Sequence, residues 1–149
     1  MAKTYDAVVI GAGPPGEVVA GELADGGMSV AVCERELVGG ECGYWACIPS
    51  KTLLRPGEAI AEARHAPGAR EAVTGKLDSA AAFEWRDFQV NDYDDAGQAK
   101  WLEDKGVELF RGAGVITGER EVSVGKDVLA ARKAVIVATG STATLPPIQ

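Results

Sequence analysis

Apolar positions along the chain cluster into short runs punctuated by glycine. Ala7-Val8-Val9-Ile10 is β-branched and does not alternate, so it reads as a strand buried on both faces, the mark of a parallel sheet. The segment Gly11-Ala12-Gly13-Pro14-Pro15-Gly16 follows, and residues 17–24 carry helical spacing that Gly26-Gly27 ends. Met28 to Cys33 is a second buried strand with Glu34 at its end. Residues 50–64 predict a helix interrupted near Pro56-Gly57, 66–82 a loop or weak helix, and 85–105 helix in parts, ending at Gly106. Val107 to Phe110 is a third strand candidate. From Gly112 the pattern changes to short alternating runs (Val115-Ile116, 121–124, 127–130) split by Thr117-Gly118 and Gly125-Lys126, which predicts an antiparallel meander. Val135 to Ala138 is a final buried strand, followed by Thr139-Gly140-Ser141. The expected fold is α/β: a doubly wound parallel sheet with a three-stranded antiparallel β-meander as one crossover.

Composition narrows the classes. At 149 residues and 46% hydrophobic with 25% charged, the chain has the make-up of one globular domain. The net charge of −7 disfavours nucleic acid or an anionic membrane surface as partner. No apolar run approaches the ~18 to 20 residues of a membrane span. Met1 to Asp6 leads straight into the first strand without a secretory h-region, so a cytoplasmic location is expected. Three cysteines are too few for a disulfide-stapled scaffold.

Gly11-x-Gly13-x-x-Gly16 stands between strand and helix, with Glu34 lying 23 residues after Gly11. In that context Gly11 makes a tight turn, Gly13 admits a pyrophosphate close to the backbone, and Gly16 lets the helix pack near the sheet. The helix N-terminus offers unpaired N–H groups to phosphate, and Pro14 and Pro15 suit its first turn. A carboxylate at 34 accepts from both ribose hydroxyls and repels a 2′-phosphate, which favours FAD or NAD over NADP. The alternative is a glycine-rich turn without a ligand.

Cys42 and Cys47 are five residues apart. Residues so spaced in a regular helix have Cα atoms about 8 to 9 Å apart. A disulfide needs roughly 4.4 to 6.8 Å. If the two pair, the backbone between them is broken, and Pro49 and Gly43 favour that. A regular helix is then expected only from about Ser50. On the residues alone three readings stay open: a metal site, short of the usual four ligands; two inert buried thiols; or a redox pair. A helix N-terminus and the Lys51 cation would both lower a thiol pKa there. Cys33 reads as a small buried apolar residue, and His65 as a surface helix residue.

The segment from Gly39 to Lys51, GGECGYWACIPSK, resembles the GGxCxxxGCIPSK signature of the pyridine nucleotide–disulfide oxidoreductases, the family of dihydrolipoamide dehydrogenase, glutathione reductase and mercuric reductase. Residues 135–141 followed by Pro146-Pro147 resemble that family's second FAD motif. The resemblance implies a Rossmann-like FAD domain and a redox disulfide. Cys42 would attack substrate, Cys47 would form the charge-transfer thiolate over the flavin, and Lys51 would lie near flavin N5. The FAD contacts it implies are Gly11, Gly13, Pro14, Gly16, Glu34, Arg35, Gly40, Glu41, Cys42, Cys47, Lys51, Ala113, Thr139 and Gly140. Three features depart from the family pattern: Ala46 for the usual Gly, Glu41 for Thr, and Tyr44-Trp45 for Asn-Val. Tyr44 and Trp45 are read as packing residues.

The resemblance also implies what lies outside 1–149: an NAD(P)-binding domain, the last FAD-domain strand, and a dimerisation domain that supplies the acid/base. The chain is therefore expected to be the N-terminal portion of an FAD-binding domain, incomplete in its sheet. It is expected to be inactive alone with NAD(P)H and able to self-associate through an exposed edge, the full-length enzyme being a homodimer acting on a small-molecule or protein disulfide. A non-catalytic dinucleotide-binding module used for docking or redox sensing is the alternative.

Overall fold

A computed structural model describes residues 2–142 and 144–148, so Met1 at the head of the N-terminal reading and Gln149 at its end lie outside the described residues. Three strands begin the sheet in parallel: β1 (Lys3–Ile10), β2 (Val30–Glu34) and β3 (Glu108–Arg111). Then β4 (Gly114–Gly118), β5 (Glu121–Val124) and β6 (Asp127–Val137) form the meander. The order across the sheet is β3-β2-β1-β6-β5-β4. Strands β3, β2, β1 and β6 run parallel, whereas β6-β5-β4 are antiparallel.

β6 corrects one expectation. The third meander strand and the final strand are a single eleven-residue strand, which pairs with β5 over Asp127–Ala130 and with β1 from Leu129 to Val137. Arg132 and Lys133 fall where the register with β1 shifts, between Tyr5 and Ala7. Arg132 stays extended because its guanidinium reaches Asp6 Oδ1 at 3.1 Å and Ser29 Oγ at 2.8 Å.

Both faces of the central strands are covered, which is why residues 7–10 of β1 and 30–33 of β2 read as continuous apolar runs; β1 itself starts earlier, at Lys3. On one face Val9, Val30 and Val32 pack with Ala20 of α1 (Pro14–Asp25) and Leu102 of α2 (Ala96–Asp104), all of them 0–1% exposed. On the other, Val8, Ile10, Cys33 and Phe110 meet Val122, Val124 and Leu129 as the meander folds over them. A fully buried valine or leucine of this kind contributes about 1.5–3 kcal/mol.

Three further helices stand off the sheet: α3 (Gly40–Tyr44), α4 (Cys47–His65) and α5 (Ser79–Gln89). The helix expected to be interrupted near Pro56 runs through it, and α4 begins at Cys47 rather than Ser50. Pro49 is only the third residue of α4, where no intrahelical N–H bond is required. The stretch expected as loop or weak helix is irregular apart from a single 3₁₀ turn at Arg70–Ala72 until α5 starts at Ser79, capped by Asp78 Oδ1 accepting from Ala81 N–H at 3.1 Å. Within 85–105 the helix is divided by a turn at 91–93. No helix of the described residues is long and apolar enough to cross a membrane.

Candidate functional site

The parallel strands end on one side of the sheet, and the candidate residues gather there. Gly11 closes β1 with φ +98°, and its N–H donates to Cys33 O at 2.8 Å. A Cβ on Gly11 would sit 2.4 Å from Ala138 O, and one on Gly16 2.0 Å from Gly11 O, so both glycines are required by the fold itself. Gly13 is different. Its φ of −70° suits any residue, and the nearest atom to an added Cβ is Gly40 Cα at 4.0 Å. The protein does not need glycine there; something that approaches the head of α1 would. A dinucleotide pyrophosphate at this helix N-terminus fits that open cradle.

Glu34 is buried, and its carboxylate already accepts from Ala12 N–H at 2.7 Å and Glu36 N–H at 2.8 Å. Each oxygen keeps a further lone pair for a ribose hydroxyl. Arg35 points into solvent and pairs with Glu36 at 3.3 Å. Gly112 N–H donates to Glu34 O at 2.8 Å, which sets the exposed Ala113 beside the end of β2. Thr139 and Gly140 are exposed at the end of β6, and Thr139 Cα lies 3.2 Å from a Cβ built on Gly11. Pro14 and Pro15 open α1 and are exposed.

The cysteine segment docks on this loop. Gly39 and Gly40 both have positive φ, +110° and +58°, and Gly39 N–H donates to Ala12 O at 2.7 Å. Gly40 is pressed on Gly13, with 2.6 Å from its would-be Cβ to Gly13 Cα. From there α3 carries Glu41 and Cys42, breaks at Trp45-Ala46 with Ala46 at φ −121°, ψ −85°, and resumes as α4 at Cys47. The broken turn expected from the spacing is present. It brings the half-buried Cys42 thiol into hydrogen bonding with Cys47, and both sulfurs are free thiols.

The electrostatics bear out the expected downward pull of Lys51 on the Cys42 thiol but not a net lowering. The hydrogen bond to Cys47, burial and the Cys47 charge hold Cys42 above the ordinary thiol value; the Lys51 cation and the Cys47 backbone N–H pull it down without prevailing. Lys51 itself is exposed on the first turns of α4. Cys33 is buried in the core, its thiol pushed up to about 11 by burial. His65 ends α4 in solvent, with Nδ1 2.7 Å from Ala61 O. Tyr44 is buried as expected, whereas Trp45 is 46% exposed beside it, the ring centroids 5.8 Å apart.

Three residues near the site escape a motif search. Asp95 is buried and accepts from Val38 N–H at 2.6 Å and from both Arg111 terminal nitrogens, at 2.5 and 2.9 Å. Glu17, in the first turn of α1, is half-buried, and burial together with the Glu34 charge raises its pKa. The signal for Asp95 and Arg111 would have been an acid at a helix start and a base sixteen residues on at a strand end, too common a pattern to single out.

The family profile described as pyridine nucleotide-disulphide oxidoreductase matches residues 5–149. The chain belongs to this family. It is 34% identical to a dihydrolipoyl dehydrogenase of Acholeplasma laidlawii, over 99% of this chain and 44% of that one. It is 32% identical to a mercuric reductase of Staphylococcus aureus, over 97% of this chain and 26% of the other. Among solved structures, the Cu(II) complex of the HOCl-induced flavoprotein disulfide reductase RclA from Escherichia coli superposes with a TM-score of 0.79. Its identity is 25%, over 99% of this chain and 31% of that one. The chain thus spans under half the length of these relatives.

Proposed function

We propose that this chain is the FAD-binding, dithiol-carrying part of a flavin-dependent disulfide oxidoreductase of dihydrolipoamide dehydrogenase type. The observation that carries the reading is the docking of Gly40 on the open cradle at Gly13, which puts the Cys42–Cys47 pair next to the dinucleotide loop. Gly11, Gly13 and Gly16 with Pro14 hold the pyrophosphate, Glu34 the adenosine ribose, with Arg35 and the Ala113 backbone near the adenine. Gly40, Glu41, Thr139 and Gly140 line the rest of the cofactor, and Lys51 lies toward the flavin ring.

The cysteines act in sequence. Cys42, once deprotonated, attacks one sulfur of a substrate disulfide and expels the other as thiolate. Cys47 then attacks the Cys42 sulfur, releases the second substrate thiol, and leaves a Cys42–Cys47 disulfide. Bound FAD would supply the two electrons from NAD(P)H that return the pair to dithiol. The same steps reversed oxidise a substrate dithiol. A pair that must be re-reduced on each turnover suits the reducing cytoplasm. The raised pKa of Cys42 calls for a base to take its proton, and the described residues place none beside it.

The test is to refold the chain with FAD and reduce it with dithiothreitol. A yellow protein that gains a long-wavelength thiolate–flavin band, lost in Cys47→Ser, is expected. Retention of FAD without the band would favour the non-catalytic binding module; failure to bind FAD at all would sink the reading. The isolated 149-residue chain is expected to consume no NAD(P)H, since its described residues hold one dinucleotide loop.

A further inference from the structure

The segment that carries Cys42 is tied at both ends to one corner of the fold. Before the cysteine, Val38 N–H donates to Asp95 Oδ2 at 2.6 Å. After it, Tyr44 Oη donates to Asp94 O at 3.4 Å, and the Tyr44 ring covers Gly39, 3.0 Å from a Cβ built there. Neighbouring residues of one chain segment therefore hold Val38 and Tyr44, and Cys42 is slung between them.

The corner is itself constrained. Asp95 starts α2, but its carboxylate does not cap that helix; Asp94 Oδ1 takes the Ala96 N–H instead, at 2.9 Å. The Asp95 carboxylate is committed to the Val38 N–H and to a two-pronged pair with Arg111. Arg111 also donates to Glu36 O at 3.1 Å, so the guanidinium ties the loop from β2 to the end of β3. Just before the corner, Asn91, Asp92 and Tyr93 all adopt left-handed φ between +50° and +61°, costly for non-glycine residues. That turn lets the Asn91 amide bond Asp94 O at 2.8 Å and sets the Tyr93 ring beside Tyr44, centroids 6.3 Å apart.

We propose that Asp95, locked by Arg111, is a positioning residue that holds the Cys42 segment where Cys42 can close a disulfide with Cys47. The inference rests on the redox reading above. A loop freed from Asp95 samples more positions, and the disulfide that closes across it loses stability relative to the dithiol.

The experiment uses the chain without FAD, so that it can be read whether or not the cofactor binds. Wild type, Arg111→Gln, Asp95→Asn, the double variant and Arg111→Lys are equilibrated in glutathione redox buffers. One glutathione disulfide oxidises the Cys42–Cys47 dithiol and leaves as two thiols, and the oxidised fraction is counted by mass after alkylation. The single variants are expected to need at least about threefold more oxidising buffer at the midpoint. The double variant should shift no further than either single one, because the pair acts as a unit, and Arg111→Lys should recover part of the shift. Melting temperatures measured alongside identify a merely structural role: lower Tm with an unchanged glutathione midpoint overturns the proposal. The Arg111 side chain is 45% exposed, far more than that of Asp95, so Arg111→Gln keeps the question answerable if Asp95→Asn fails to fold. A wild type that binds no FAD refutes the flavin reading while the midpoint comparison stands; one that forms no disulfide in any buffer refutes both.

Discussion

Gly13 and Gly16 belong to the same motif but do different work, and substitution separates them. A methyl on Gly16 would meet Gly11 O at 2.0 Å, so Gly16→Ala should destabilise the fold by about 1–3 kcal/mol or more, read as a fall in denaturation midpoint. A methyl on Gly13 meets nothing nearer than Gly40 Cα at 4.0 Å, at an ordinary φ. Gly13→Ala should leave the midpoint unchanged and weaken FAD binding about tenfold, roughly 1.4 kcal/mol, by flavin fluorescence titration. Equal FAD affinity in Gly13→Ala and wild type would remove the argument that the cradle is a cofactor site. The thiols are also separable. Since Cys47 is the leading cause that holds Cys42 up, Cys47→Ala should move the pH midpoint of Cys42 alkylation downward, while Lys51→Met should move it upward. Cys33, buried at about 11, should resist alkylation until the chain unfolds. The glycines, Cys33 and Tyr44 were legible in the sequence because each answers a local demand of turn, strand or packing. The direction of the Cys42 shift was not, because the influence of Cys47 and burial outweighs Lys51, and that balance depends on how the broken turn sets the two cysteines.

The break between α3 and α4 was legible from the five-residue spacing and Pro49; its place was not. A proline in the first turn costs the helix nothing, so α4 could begin at Cys47, with Ala46 absorbing the bend. Pro56 misled in the other direction. It stands inside α4 without a break, and it removes the donor that would serve Thr52 C=O. Pro56→Ala is therefore expected to raise stability by about 1–2 kcal/mol, net of the looser unfolded chain, in urea denaturation; a loss would show that the proline fits a bend the helix needs. At the head of α2, Arg111 first, and Val38 N–H with it, hold the Asp95 carboxyl below its ordinary value of 3.8. The folded pKa being the lower one, this contribution is complete above the ordinary value and lost as pH falls through the depressed one. Acid unfolding below about pH 4 should be steeper in wild type than in Asp95→Asn. Identical slopes would mean that the pair contributes nothing to acid stability.

The parallel half of the sheet was readable because strand segments buried on both faces cannot carry polar residues, and residues 7–10 of β1 and 30–33 of β2 carry none; the polar first half of β1, residues 3–6, was not read as strand. The continuity of β6 was hidden because Arg132 and Lys133 look like a strand end, and only the distant Asp6 and Ser29 make them strand residues. That continuity has a consequence for the whole molecule. β5 pairs with β6 only as far as Ala130, and β1 occupies its other side. Along Arg132–Val137, among the described residues, no strand pairs on the side of β5, and Val137 is 61% exposed there. Ala138 N–H donates to Ile10 O, so in an extended strand the N–H groups of Val135 and Val137 point away from β1, into the open edge. Unpaired donors beside apolar side chains form a template for another strand. The isolated chain is therefore expected to self-associate through this edge, with sedimentation coefficients that rise with concentration up to roughly 100 µM. A lysine at the edge opposes such pairing by charge repulsion, so Val137→Lys should restore the monomer without lowering Tm, its side chain being already in solvent. A wild type that sediments as a monomer throughout that range would show that the twist of β6 and its cationic Arg132-Lys133 pair already close the edge to a second copy.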